Sequence, residues 1–461
     1  MSDLKSEDLK NEDSEQAEKD IVLSMEKTES GTVEQRTRID GHHHHKHHSK
    51  LYYKFKRTKH KIKKHFRKKK TRRIYIAVAS LLGIVLIVAS INAQNISNKN
   101  LNNESSGVSS GNGVNEGAYI EVFGFEEEPV LVSSVIEKYM DSDNTDYLYE
   151  ALINANADVR YDISKPVSFK TAVSDLPSGV TAENTKVLIS DDPEFKNSIS
   201  VNRNSGYVDT ELLNLKTGTV YYYSVDTTLS DGTTISESGS FKTALTPRVL
   251  SISGAVNVRD IGGWRTTDGK IIRQGLLYRG SEIDGAYRAD FCLTDSGIVS
   301  LTKDLGVICD FDLRGSSKYI SEQSPLGASI NHLQFASPQY SEVFDASGEK
   351  EIKAVFSALA DKDNYPMYMH CTLGLDRTGT VCYILEALLG MSEADLLKEF
   401  ELSSLYYTNI RTRDSNFDLM KFIYDFDALD GASTQEKAQN YLLSIGVTQD
   451  EINSIKTIFL G

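Results

Sequence analysis

The sequence predicts a multi-domain chain: an α/β domain with a central, mainly parallel sheet flanked by helices, a small all-β sandwich before it, and one N-terminal transmembrane helix. Three observations carry this. An uncharged apolar run follows a dense basic block. Short alternating segments rich in β-branched and aromatic residues fill about 165–246. From about 250 onwards apolar strands interleave with amphipathic helices. With 461 residues, 39% apolar and 25% charged, the chain is long enough for two or three cored domains.

Residues 1–73 are polar and then basic, without periodic apolar positions, and read as a disordered cytoplasmic tail. The tract Gly41–His48, GHHHHKHH, fits a metal-binding segment or, more simply, low-complexity polar sequence leading into the Lys/Arg-rich stretch at 50–73. From Ile74 to Ile91 no charge occurs, and a run of roughly 18 to 20 such residues crosses a bilayer as a helix. The basic side faces the cytoplasm, so a signal-anchor at 74–93 puts the C-terminal bulk outside the cell. A cleaved leader is the competing reading, but the flank ahead of the apolar run is too long for one. Membrane association is therefore expected through 74–93. The net charge of −14, with its basic residues segregated in one block, argues against nucleic acid as a partner of the folded part.

Residues 94–117 read as a flexible Asn/Ser/Gly linker, and 118–164 contain two helical stretches without an assignable role. The segments VSFKTAV, TKVLIS, SISVN, YVDTELL, VYYYSVDTTL and ISESGSFKT then predict a sandwich over 165–246. Within it LKTGTVYYYSV (Leu215–Val225) resembles the late-strand region of fibronectin type III domains. No chemistry is visible there, so a spacer or binding module is expected.

In the remainder, Val307–Arg314 and Tyr365–His370 read as buried strands, and Thr378–Gly390 as a helix ended by Gly390. Between strand and helix lies HCTLGLDRTG, His370–Gly379, where α/β folds place ligands. Cys371 and Arg377 are separated by five residues. A loop of that length can curl so that the backbone N–H groups of Thr372, Leu373, Gly374 and Leu375 point at one tetrahedral anion, with the helix N-terminus adding positive potential. Arg377 supplies a planar two-pronged donor for phosphate oxygens, and Cys371 the sulfur nucleophile. Thr378 is placed to hydrogen-bond that sulfur as it leaves.

The segment CTLGLDR fits the Cys-x5-Arg loop of protein tyrosine phosphatases. The wider stretch resembles the bacterial atypical tyrosine and dual-specificity phosphatases, whose loop reads HCxxGKDRTG. Upstream, Gly254–Ile283 is similar to that family's Asn-x-Arg-Asp-x-Gly-Gly…Tyr-Arg opening, CDFDLRG (Cys309–Gly315) to its Asp-Leu-Arg strand, and Leu396–Leu405 to its post-loop helix. The resemblance covers about 250–461. It implies a cysteine-dependent phosphatase of phosphotyrosine or dual-specificity type, working through a phosphocysteine on a phosphorylated protein or other phosphomonoester, with no metal and no other cofactor. It maps the general acid to Asp376, the rival being that Asp376 braces Arg259 or Arg279; Asp260 and Asp312 stand in reserve. It also puts Arg259 and Asp260 beside the phosphate loop, as substrate-side residues or as a structural turn ending in Gly262 and Gly263.

Leu375 stands where the family carries Lys, which favours less charged esters or marks a damped member. A catalytically weak surface protein that binds phospho-ligands or adheres is the alternative reading; sulfur transfer is a third, opposed by Thr378 and Gly379. His370 is expected to fix the loop rather than act as base. Cys309 and Cys382 fit apolar packing, and a disulfide to Cys371 is without support. His332 reads as a lone histidine.

Overall fold

Alternating inward and outward side chains build the sandwich. Strands β1 (Tyr119–Phe123), β2 (Val167–Ser174) and β5 (Tyr207–Leu212) form one antiparallel sheet; β4 (Ile199–Arg203), β3 (Ala182–Ser190), β6 (Val220–Leu229) and β7 (Thr234–Lys242) form the other. Between the sheets lie Phe169, Val187, Val208, Val225 and Phe241, all buried. The structure, a computed structural model, describes residues 117–142, 144–154, 160–405 and 410–461, which fall in one compact unit. The tail, the signal-anchor at 74–93 and nearly all of the linker lie outside the described residues. Among the described residues no helix is long and apolar enough to cross a membrane.

The sandwich begins earlier than the sequence reading placed it, because β1 pairs with β2 along its whole length. The rest of the unassigned stretch goes elsewhere. Helices α1 (Ser134–Ser142) and α2 (Asp146–Asn154) place Ile136, Tyr139, Leu148 and Ala151 in the same apolar core as the C-terminal α/β domain. The Tyr139 hydroxyl donates to Glu401, Thr145 Oγ1 to Asp414 at 2.7 Å, and Lys398 Nζ to the Met140 carbonyl at 2.7 Å. This region is part of the C-terminal domain's wall. A β1 strand alone could not have been told from a linker segment by its pattern, since only one of its five residues is buried.

The α/β domain is built on one six-stranded sheet ordered β12-β11-β13-β10-β9-β8. Strands β10 (Leu277–Gly280), β11 (Cys309–Asp312), β12 (Asn331–Gln334) and β13 (Met367–His370) run parallel; the two-residue strands β8 (Arg248–Val249) and β9 (Arg259–Asp260) close one edge antiparallel. The expected mainly parallel sheet is present. Around it lie α3 (Asp295–Val299), α4 (Ala346–Leu359), α5 (Asp376–Leu389), α6 (Glu393–Glu401), α7 (Phe417–Asp427), α8 (Thr434–Ser444) and α9 (Gln449–Leu460). Helix α5 is buried from Thr378 to Leu389, Glu386 among them, which is why its apolar residues fall on all sides rather than in one stripe. Gly390 ends it at φ +93°, a left-handed position that costs glycine nothing.

The sandwich is docked against the α/β domain. Gln274 and Thr217 exchange two hydrogen bonds at 2.9 Å, side-chain amide against backbone. Arg248, buried, donates to the carbonyls of Asn214 (2.7 Å) and Leu215 (3.2 Å) while pairing with Asp260 at 2.7 Å. The Leu215–Val225 segment that reads as a β-sandwich signature thus begins at the interdomain joint.

Candidate active site

Strand β13 is fully buried between β10 and β11, and its apolar residues Met367, Tyr368 and Met369 fix where the chain emerges at Cys371. From there to α5 the loop must turn tightly. Gly374 sits at φ +67°, and a Cβ on it would meet the Gly280 carbonyl oxygen at 2.3 Å, so no other residue fits without moving backbone. Leu375 is the N-cap of α5 and, being Leu, makes no side-chain cap bond. The first N–H groups of a helix need partners from outside it. Here none is provided: the backbone N–H groups of residues 372–377 make no hydrogen bond within the described residues. Arg377, half-buried, likewise has no side-chain hydrogen bond or ion pair among them. Cys371 is buried, 5% exposed. A run of unpaired amides, a free guanidinium and a thiol in one loop at a helix start are the parts from which an anion cup with a nucleophile can be built.

The outer side of the loop is the opposite. Arg279 Nη2 donates to the Gly374 carbonyl at 2.7 Å, and Asn257 Nδ2 to the carbonyls of Gly374 (3.1 Å) and Leu373 (3.3 Å). Arg279 Nη1 also pairs with Glu399 Oε2 at 2.6 Å, while Arg259 Nε donates to Glu399 Oε1 at 3.0 Å and its Nη1 to Asn257 Oδ1. Burial alone would raise the Glu399 carboxyl, but Arg259 and Arg279 together hold it below the ordinary carboxylate range. Leu375 is fully buried. Its side chain is therefore packing within the fold; only its backbone is available to a ligand. Leu373 rests against Val256 and Phe291, and Thr378 Oγ1 is buried without a hydrogen-bond partner, the Cys371 sulfur included.

Asp376, the first residue of α5, braces neither Arg259 nor Arg279. Its Oδ1 accepts from Arg411 Nε at 2.7 Å and from the Tyr340 hydroxyl, whereas Oδ2 has, among the described residues, only a 3.5 Å contact with Arg411 Nη2. Burial of Arg411 works against its charge, yet the bond to Asp376 outweighs this and pushes the guanidinium upwards. Burial, then Asp376, pushes the Tyr340 hydroxyl up as well. A cleft of ≈ 300 Å³ opens on Asp376, with Tyr340, Arg411, Asn416 and Phe417 in its wall.

Two residues expected on the substrate side are placed otherwise. Arg259 is locked in the Glu399–Asn257 network and reaches the loop through Asn257 and, by way of Glu399, through Arg279. Asp260 faces away from it, taking Arg248 at 2.7 Å and the amides of Gly262 (2.8 Å) and Gly275 (2.7 Å). The reserve acid Asp312 is fully buried, paired with Arg314 at 2.9 Å, and held far below the ordinary carboxylate range; burial opposes this, but His370, His332 and Arg314 prevail. His370 is buried, its Nε2 2.9 Å from Asp310 Oδ1 and its Nδ1 3.3 Å from the Cys371 carbonyl. Burial disfavours its charge, yet Asp312 and Asp310 raise it to about 9. His332 is less isolated than its sequence context implies, its Nε2 lying 3.8 Å from Asp310 and 3.9 Å from Asp312. Cys309 and Cys382 are buried and free, burial pushing the Cys309 thiol up to about 12 and the Cys382 thiol still higher. Tyr340 and Arg411 had no signal in the sequence; Asn257 and Arg279 did, as members of the opening motif.

No curated protein matches the chain. Among solved structures, the core catalytic domain of the PP-IP phosphatase SIW14 from S. cerevisiae, in complex with citrate, is similar over 33% of this chain and 83% of that one, at 14% identity and a TM-score of 0.24. Residues 250–461, the stretch that holds the cup, Cys371 and Arg377, match the tyrosine phosphatase family, which supports a phosphatase built on a cysteine.

Proposed function

We propose that the chain hydrolyses phosphate monoesters, of phosphotyrosine or dual-specificity type, through a phosphocysteine on Cys371. The observation that carries this is the cup: unpaired amides of residues 372–377 and the unpaired Arg377 around a buried thiol, at a helix start without a side-chain cap. Such donors are aimed before the ligand arrives, so they stabilise the charge of a trigonal phosphoryl group without reorganising. The sulfur, ionised, attacks phosphorus while the ester oxygen leaves and takes a proton from Asp376. Water then attacks the same phosphorus, Asp376 takes its proton, and the S–P bond breaks to give inorganic phosphate. Oδ2 of Asp376 is the oxygen available for both transfers, because Oδ1 is held by Arg411 and Tyr340.

The buried Leu375 adds no positive charge at the rim, which supports aryl or singly phosphorylated substrates over highly charged ones. The test is hydrolysis of p-nitrophenyl phosphate and a phosphotyrosine peptide by the full chain. Cys371→Ser is expected to reduce turnover to background while tungstate still binds; full activity in that variant overturns the mechanism. Phosphopeptide binding without turnover by the unsubstituted chain favours the surface-binding alternative.

The apolar run at 74–91 and the basic block before it support a single-pass anchor with the catalytic domain outside the cell. Cys292 is exposed and free. A membrane-impermeant maleimide is expected to label it on intact cells, and labelling only after lysis reverses the orientation.

A further inference from the structure

The phosphate loop is held in part by a residue outside the 250–461 stretch. Asp162, in the segment between α2 and β2, is 3% exposed and its Oδ2 accepts from the backbone N–H of Asn257 at 2.7 Å. Arg160 fixes that carboxylate from the other side, Nη2 to Oδ2 at 2.8 Å and Nε to Oδ1 at 3.0 Å. Asn257 is fully buried at φ +57°, a left-handed position that Asn tolerates only when something specifies it. Its side chain then reaches the carbonyls of Leu373 and Gly374.

The direction of those two bonds matters. A C=O and the N–H of the next residue share one peptide plane and point opposite ways. Pinning the Leu373 and Gly374 carbonyls outward therefore aims the amides of Gly374 and Leu375 inward, into the cup. The chain of contacts runs from Asp162 to the Asn257 backbone, through its side chain, to the amides that would hold a phosphoryl group.

We propose that Asp162 is a positioning residue for the phosphate loop, so that the segment between α2 and β2 sets the aim of a cup that lies in the C-terminal domain. The proposal rests on the phosphatase reading for its effect on turnover, but not for its effect on oxyanion binding. The experiment compares the full chain with Asp162→Asn, Asp162→Ala, Asn257→Gly and the double variants, each well below its own melting temperature. Tungstate affinity is read by calorimetry and kcat with p-nitrophenyl phosphate. Losing a charged hydrogen bond that orders a loop is expected to weaken tungstate binding and kcat about tenfold. Gly adopts a left-handed φ freely and lacks the connecting side chain, so in the Asn257→Gly background the Asp162 substitutions are expected to add nothing further.

Unchanged tungstate affinity in a folded Asp162→Ala chain, or full additivity with Asn257→Gly, overturns the proposal. If Asp162→Ala does not fold, the isosteric Asp162→Asn carries the reading. If that also fails to fold, Asp162 holds the domains together rather than aiming the loop, and the proposal falls. A chain that binds tungstate without turning over substrate removes the phosphatase reading, while the affinity comparison still decides the role of Asp162.

Discussion

The two faces of the phosphate loop are opposites. On the outer face the side chains pair with one another and with the loop: Glu399 takes both Arg259 and Arg279, and Arg279 and Asn257 take the loop carbonyls. On the inner face the amides and Arg377 have none among the described residues. The difference teaches how such a site can exist. Unpaired donors cost stability, and a rigid support is what keeps the loop from relaxing to pair them. The outer network is that support.

The comparison breaks most sharply at Glu399. Glu399→Ala leaves two buried guanidinium groups without their carboxylate, and removing one partner of a buried pair costs about 3–5 kcal/mol. Denaturant unfolding of the variant is expected to show a loss of that order, with the cup's oxyanion affinity falling alongside. A loss below about 1 kcal/mol, the value of an exposed pair, means the outer face is not the support.

His370 gives the next largest effect. Its folded value of about 9 exceeds the ordinary value of about 6.5. The charged form therefore contributes stability in full below about 6.5, and that contribution is lost as pH rises through about 9. The full shift corresponds to about 3 kcal/mol. Unfolding free energies measured across neutral to alkaline pH are expected to fall in the native chain and to be flatter in His370→Asn. An equal slope in the two chains removes His370 as the cause.

Asp376 sharpens the comparison from the inner side. Its side chain is 23% exposed and lies at the loop's mouth, so Asp376→Asn is expected to leave stability nearly unchanged and to lower kcat by about 10²-fold. With a substrate whose leaving group needs no proton, such as a nitrophenolate, the loss is expected to shrink. A loss that is the same for good and poor leaving groups assigns Asp376 to bracing Arg411 instead.

Much of this was legible in the sequence, and the physical reason is locality. The loop is one contiguous stretch, so Cys371, Gly374 and Arg377 stand together in the sequence, and the upstream motifs in order make their spacing specific. The parallel sheet was readable from short buried segments such as Tyr365–His370 alternating with helices, and α5 because Gly390 ends it. What escaped was assembled across distance. Arg411 reaches Asp376 from 35 residues away, and Asp162 reaches Asn257 from 95; neither position has a local signature. Of the two readings open to Asp260, its contacts are those of the structural turn, its Oδ1 accepting from the Gly262 amide. Its neighbours in the motif line the loop, but a two-residue strand alternates its side chains, and this one turns towards Arg248 and the sandwich. Likewise β1 could be recognised only by its pairing with β2.

The leucine at the start of α5 has a consequence at the end of the catalytic cycle. A serine or aspartate there would compete for the helix's first amides and help expel the departing ion; Leu375 offers them nothing. Inorganic phosphate released from the cup thus leaves behind donors with no substitute except water, and medium phosphate is free to return. The enzyme is accordingly expected to slow as its own product builds up, so that its working rate is tied to how scarce free phosphate is around it.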